Sequence, residues 1–255
     1  MELDKKTVIY VGGALIISAA IYYLYCKTLK KTNHDINQNQ PKLDCKFREL
    51  EILISEGTNE GWNEIKKTDT FNVYKKDTGD SPIAIIKAFI IIKDTSIEDV
   101  HFAIWDGDFR RSWDSVAQDF QVIEKVDDQN DVIYFYAKSP VPWLVSNREF
   151  VQHRMYRRDG DKIMIVYWSA DRPDRAVPEN WVRANTIISG YIIEKGENPG
   201  EVKVNFITQN DVKGSIPPQL INTYAPIKAL NWVKELGKAC KLLQNNRHKG
   251  IIHES

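Results

Sequence analysis

The sequence predicts an α+β fold: a mostly antiparallel, strongly curved sheet, a long C-terminal helix, and one transmembrane helix before them. Three observations lead to this prediction. Many short segments rich in β-branched and aromatic residues are separated by Pro and Gly turns, a long amphipathic run closes the chain, and an apolar run without charges opens it. With 255 residues, the chain is long enough to bury a core unaided.

The apolar run near the N-terminus covers residues 7–26. None of these twenty residues is charged and sixteen are hydrophobic. As a helix, the run would cover roughly 30 Å, the thickness of a bilayer's hydrocarbon core. A cleaved signal peptide is the alternative, but its apolar region would be shorter. More lysines follow the run than precede it, so the positive-inside rule predicts a single-pass membrane protein with its folded domain facing the cytosol.

The chain is expected to consist of a membrane anchor at residues 1–31, a polar Asn/Gln-rich linker at 32–42, one folded domain at 43–245 and a tail at 246–255. Apolar spacing and a Ser96 cap predict helices at 43–56, 96–105 and 109–115. Strand-like segments occur at 71–74, 83–92, 120–124, 132–138, 149–156, 163–169, 181–193 and 202–208. The last helix is predicted at 218–244, where Pro226 should introduce a kink.

Charge and motif content argue against several classes of function. The 35 basic residues balance 35 acidic ones, whereas a nucleic-acid binder would usually show a basic excess, so no nucleic-acid partner is expected. The sequence contains no GxSxG, GxxxxGK[ST], GxGxxG or HExxH motif, and its five histidines are scattered. We therefore predict no catalytic residues, no metal site and no cofactor.

Two arginines are candidates for contact with a ligand. Arg110 and Asp114 are four residues apart on one face of a short helix, among aromatic residues that should bury them. A buried ion pair is costly to desolvate, so it either has a structural role or meets a polar group of a ligand. Arg148 begins a strand, and Phe150 lies two residues further on the same side. A structural or surface ion pair is the alternative for each arginine.

Four blocks of sequence resemble one known family. They are RRSWD at 110–114, KSPVP with SNREFV at 138–151, VPENWVRA at 177–184, and GSIPPQLIN followed by KAC at 214–240. In order and spacing they resemble the START (StAR-related lipid transfer) domain over about residues 43–244, nearest the phosphatidylcholine carriers of that family. The resemblance implies a helix-grip fold, in which a curved antiparallel sheet wraps around a long C-terminal helix and encloses a tunnel for one lipid.

The resemblance also implies roles for individual residues. Arg110 matches the arginine that meets the lipid phosphate, Asp114 matches its acidic neighbour, and Arg148 matches a cavity arginine. The positions of a choline-binding aromatic cage fall at Phe135, Phe150 and Ile187, so two rings are kept and the third position is aliphatic. A gate at the tunnel mouth is expected at the loop that contains Pro178 and at the last helix, through Leu220 and Pro226.

These expectations describe a membrane-anchored, non-enzymatic protein that holds one glycerophospholipid and transfers it. Its expected partners are a phospholipid ligand and a membrane, and its oligomeric state is left open. A sterol or ceramide carrier is an alternative within the same class. Alternatives of other classes are a helix-grip hydrolase or cyclase, for which no nucleophile–base pair is visible, and a lipid-sensing tether that does not transfer.

Overall fold

The computed structural model describes residues 40–248 except 80, 140, 144 and 215. The chain divides into two compact units, Met1–Ile52 and Leu53–Ser255. The first helix, α1 (Gln40–Ser55), begins in the first unit and ends in the second. It agrees with the helix predicted at 43–56, although it begins three residues earlier, inside the expected linker.

The predicted localisation, a single-pass membrane protein with a cytosolic domain, has to be corrected. In the part of the chain that the structure describes, no helix combines the length and the apolar character needed to cross a bilayer. The expected transmembrane span at residues 7–26 lies outside the described residues. A membrane anchor therefore forms no part of the function proposed below.

The helices and strands of the second unit follow the predicted order. After α1, the helices are α2 (Ile97–Trp105), α3 (Gly107–Trp113) and α4 (Pro218–His248). The strands are β1 (Asn63–Lys67), β2 (Phe71–Thr78), β3 (Ser81–Lys93), β4 (Gln118–Lys125), β5 (Asn130–Ala137), β6 (Arg148–Asp159), β7 (Lys162–Ser169), β8 (Val182–Arg183), β9 (Asn185–Lys195) and β10 (Glu201–Asp211). Strand β1 was not predicted, because all five of its residues are exposed and show no alternation.

The strands that the structure describes form one ten-stranded sheet in the order β1-β2-β3-β10-β9-β7-β6-β5-β4. Neighbours along this order are antiparallel, and only the two-residue β8 runs parallel to its partner β6. The register brings four connections to the same end of the sheet: β2–β3, β5–β6, β7–β9 and β10–α4. We call this the loop end.

One face of the sheet, the inner face, packs against α2 and the last helix. Trp232 of α4 stacks on Tyr191 of β9 and Phe206 of β10, with ring centroids 5.1 Å and 5.3 Å apart. Isoleucines and valines of β3, β7, β9 and β10 surround these rings in the main hydrophobic core. Side chains two residues apart on a strand share a face. Tyr167 and Ser169 of β7 therefore both lie on the inner face, and so do Phe150 and Gln152 of β6.

Candidate functional site

The site is built around Arg110, on the short helix α3. Asp106 caps this helix by accepting a hydrogen bond from the Phe109 backbone N–H at 2.8 Å, as is typical of an N-cap. Arg110 is only 6% exposed, and its Nε donates to Asp114 Oδ2 at 3.0 Å. The expected i,i+4 pairing is therefore present, and the pair lies in the core.

Asp114 is the hub of a hydrogen-bond network. Besides Arg110, its carboxylate accepts from the Trp232 indole Nε1 at 3.2 Å and from the backbone N–H groups of Val116 and Ala117, both at 3.0 Å. Because Trp232 belongs to α4, this network connects α3 to the last helix. Four donors satisfy the carboxylate where water is excluded.

The other side of Arg110 faces β7 and β9. Its Nη1 donates to the Tyr167 hydroxyl and to the Ile104 carbonyl, each at 3.2 Å. Burial raises the pKa of Tyr191, so this phenol stays neutral. Burial alone would lower the pKa of Arg110, but Tyr167, Tyr191 and Asp114 outweigh burial and raise it. The result is a permanently charged guanidinium beside two phenols, in surroundings where a charge-assisted hydrogen bond is strong.

Sequence reasoning had missed Tyr167, Tyr191 and Trp232. Alternation along the strand predicted at 163–169 could group Tyr167 with Ser169. It could not show which face of the sheet they occupy. That assignment depends on the pairing of β7 with β6 and β9.

Phe135 and Phe150 are brought together directly. They are cross-strand partners on β5 and β6, and their rings stack at 4.8 Å with an interplanar angle of 8°. Phe120 of β4 extends the stack at 6.2 Å from Phe135. Ile187 lies in β9 at an irregularity of the register, where Thr186 pairs with Asn210 and Ile188 with Gln209, so Ile187 is the extra residue of a β-bulge.

Arg148 has a different environment from Arg110. It is buried, and its guanidinium donates to the backbone carbonyls of Ser146, Val212 and Lys213, the last two at 3.0 Å. Burial lowers its pKa. Arg148 thereby ties the β5–β6 connection to the β10–α4 connection, and its described partners are carbonyl oxygens rather than a carboxylate.

The three expected gate residues all lie toward the loop end. Pro178 is exposed in the β7–β8 connection, where its carbonyl accepts from the Trp181 N–H at 3.0 Å. Leu220 is exposed in the first turn of α4, and Pro226 is buried two turns later. The helix continues through Pro226 to His248, and whether the proline acts as a hinge stays a prediction.

The sequence was compared with known protein families and proteins. Residues 47–246 match the START domain family. The chain belongs to the START domain family. Human START domain-containing protein 10 is 25% identical over 194 residues, or 76% of this chain, and the chain spans 66% of the length of that relative, just under two thirds. Mouse phosphatidylcholine transfer protein is 28% identical over 213 residues, or 81% of this chain and 95% of that protein.

A solved structure agrees with the fold. The crystal structure of human STARD10 superimposes with a TM-score of 0.71 at 23% identity, over 86% of this chain and 84% of that one. The predicted helix-grip fold, a curved antiparallel sheet with a C-terminal helix, is thereby confirmed. This START domain protein is homologous to START domain-containing protein 10 and to phosphatidylcholine transfer protein.

Proposed function

We propose that this START domain protein binds one glycerophospholipid on the inner face of its sheet and transfers it without chemical change. The observation that carries the proposal is the buried Arg110, a permanent cation in the core. A guanidinium has five N–H donors in a planar fork, which suits phosphate oxygens. Its Nε and Nη1 have protein partners, and Tyr191 also hydrogen-bonds the guanidinium. We assign a remaining N–H of the guanidinium to the lipid phosphate.

The same feature favours a phospholipid over a sterol. A sterol offers one hydroxyl, whereas a phosphodiester offers an anion that can compensate part of the cost of a buried cation. The homologous mouse protein is named for phosphatidylcholine transfer, which supports a lipid with a phosphate. In our proposal, Asp114 orients Arg110, and the rings of Phe135 and Phe150 form one side of the site, together with Ile187.

The nucleophilic and basic groups support a carrier rather than an enzyme. Burial raises the pKa of the Cys240 thiol to about 12, so it is protonated at neutral pH. Burial, with a contribution from Arg154, lowers the pKa of His101 to about 4. Its ring stacks against Trp105 and Tyr156 in the core. Cys240 is therefore not a thiolate nucleophile at neutral pH, and His101 is held in an aromatic cluster.

Exposed apolar side chains at the loop end suggest how the lipid enters and leaves. Trp143, in the β5–β6 connection, is 87% exposed, and Val177 of the β7–β8 connection is also exposed. Leu220, Tyr224 and Ile227 form an exposed stripe on the first turns of α4, at i, i+4 and i+7. We propose that this end touches a bilayer transiently, with Pro178, Leu220 and Pro226 at the gate. Tryptophan is well suited to the membrane interface.

Native mass spectrometry of the purified protein, followed by transfer between vesicles, tests the lipid site. Arg110→Met should reduce phospholipid occupancy and transfer at least tenfold. Because this variant leaves Asp114 buried without its cation, the double variant Arg110→Met/Asp114→Asn removes both charges and protects the fold. Arg111→Met is the control, since Arg111 is exposed on the same helix. Unchanged phospholipid occupancy in the folded double variant, or a bound sterol, would refute the proposal.

The membrane contact has its own test. Trp143→Ser should slow transfer between vesicles severalfold without changing lipid occupancy or the free energy of unfolding, because the side chain contacts mainly solvent. Leu242→Ser is the matched control, since Leu242 is an exposed apolar residue near the opposite end of α4. Equal transfer by both variants would contradict the assignment of the loop end.

A further inference from the structure

Uncharged hydrogen-bonding side chains line the inner face between the Arg110 site and the loop end. They alternate with outward-facing residues on four adjacent strands, and each lies about 6.7 Å along its strand from the next inner position. We call this set the inner polar row. Its members are Gln152 on β6, Ser169 on β7, Thr186 and Ser189 on β9, and Thr208 and Asn210 on β10.

Hydrogen bonds connect most of the row. The Gln152 amide donates to the Thr186 hydroxyl, which donates to Asn210 Oδ1 at 2.8 Å. Asn210 Nδ2 in turn donates to the Thr208 hydroxyl at 2.9 Å, and the Thr186 backbone N–H donates to Ser169 Oγ at 2.7 Å. This network satisfies the buried groups and fixes where their remaining donors and acceptors point.

The β-bulge at Ile187 makes the row possible. On a regular strand, Thr186 would face away from Ser189 and Tyr191, because their separations along the strand are odd. The extra residue shifts the alternation by one. Thr186 therefore reaches Gln152 and Asn210 on the inner face, where it is 3% exposed.

Part of the row is accessible to solvent. Ser169, Ser189 and Thr208 lie inside the sheet, yet they are partly exposed, whereas Ile163 and Ile193 at the other end of the same face are buried. The row begins one inner position beyond Tyr167, the phenol that Arg110 contacts. A lipid whose phosphate is bound by Arg110 would therefore have polar side chains on the side of the row and apolar side chains on its other sides.

One of the three buried arginines in the described part of the chain differs from the other two in its partners. Arg110 is paired with Asp114, and Arg154 is paired with Asp131 at 2.6 Å. The described partners of Arg148 are carbonyl oxygens, so this buried cation near the loop end has no described carboxylate partner. A ligand with a single net negative charge would neutralise it, whereas a zwitterionic lipid would not.

We infer that the inner polar row binds an uncharged headgroup rich in hydroxyl groups, of the inositol or glycerol class, on a phospholipid with one net negative charge. The inference rests on the function proposed above and names its headgroup. A polyol supplies both donors and acceptors to the amides and hydroxyls of the row. A quaternary ammonium has no N–H or O–H group and no acceptor, so it would form no hydrogen bond with the donors and acceptors that the network leaves over. Ile187 also offers no ring face to such a cation.

Competition among headgroups tests this inference. The full chain is incubated with vesicles containing equal parts of phosphatidylcholine, phosphatidylserine, phosphatidylglycerol and phosphatidylinositol, and its bound lipid is identified by native mass spectrometry. We expect phosphatidylinositol and phosphatidylglycerol together to exceed the other two at least tenfold. Phosphatidylserine has the same net charge as these two lipids, so it separates the effect of charge from that of the hydroxyl groups.

Variants of the row sharpen the test. Thr186→Val and Gln152→Met should each lower this preference to less than threefold. Thr95→Val, a buried threonine at the opposite end of the sheet, should leave it unchanged. Preference for phosphatidylcholine, equal binding of phosphatidylserine, or an unchanged preference in both row variants would overturn the inference. Absence of every phospholipid would instead refute the proposed function itself.

Discussion

Asp114 gives the clearest measure of how strongly the interior around Arg110 is desolvated. Asp114→Asn changes the size of the side chain little but removes its charge. The side chain can still accept from the backbone N–H groups of Val116 and Ala117. Arg110 is then left as a buried cation without its carboxylate. The pair is 3.0 Å apart, and both side chains are nearly inaccessible to water.

Breaking a buried ion pair by removing one partner costs about 3–5 kcal/mol, against about 0–1 kcal/mol for an exposed pair. Because the amide keeps part of the network, we expect Asp114→Asn to lower the free energy of unfolding by about 3 kcal/mol. The matched control is Asp108→Asn on the same helix, where Asp108 is 91% exposed and lies 3.3 Å from Arg111. This control should lose less than about 1 kcal/mol.

Urea unfolding at pH 7, followed by circular dichroism, measures both variants under identical conditions. We expect the free energies of unfolding of the two variants to differ by at least about 2 kcal/mol, with a similar dependence on urea concentration. If Asp114→Asn costs no more than Asp108→Asn, water reaches the pair and Arg110 is not the buried cation on which the lipid site depends.

Three further predictions concern other residues. Since the pKa of His101 is about 4 in the folded chain and about 6.5 when unfolded, the unfolded chain binds a proton first as pH falls. Lowering the pH from 7 to 5 should cost about 2 kcal/mol through this residue, and His101→Phe should remove that dependence in urea titrations. Gly214 has φ +74°, and an added Cβ would lie 3.0 Å from Arg148 Nη2. Gly214→Ala should therefore lower the melting temperature more than Gly160→Ala, which has φ +56° and open space; equal shifts would argue against that contact. Cys240 should resist alkylation at pH 8 until the protein unfolds, because it is buried and its pKa is raised to about 12; peptide mapping that finds rapid labelling of the native chain would contradict this burial.

Features that depend on neighbouring residues were predictable from the sequence. Ser96 accepts from the Asp99 backbone N–H and caps α2 as its motif indicated. Arg110 and Asp114 meet because a helix brings residues four apart to one face. The family blocks at 110–114 and 177–184 lie inside the region that matches the START domain. Helix geometry or a continuous motif is sufficient in each case.

Other predictions failed where local pattern was a poor guide. The apolar run at 7–26 led to a membrane localisation that has to be corrected, because no helix among the described residues is long and apolar enough to cross a bilayer. Strand β1 went unnoticed because an exposed edge strand, held by its pairing with β2, needs no apolar alternation. The ligand contact expected of Arg148 stays a prediction, and its described partners are the carbonyls of residues as distant as Lys213.

By itself, the sequence determined the class of fold, the order of its helices and of the strands other than β1, and the local pairing of Arg110 with Asp114. Only the tertiary structure decided what surrounds that pair. Tyr167 and Trp232 are 57 and 118 residues away from their partners in the network, and Thr186 joins Gln152 and Asn210 only because Ile187 is inserted into β9. Strand register and bulges bring such residues together, and both arise from pairing between distant segments, which no local pattern encodes.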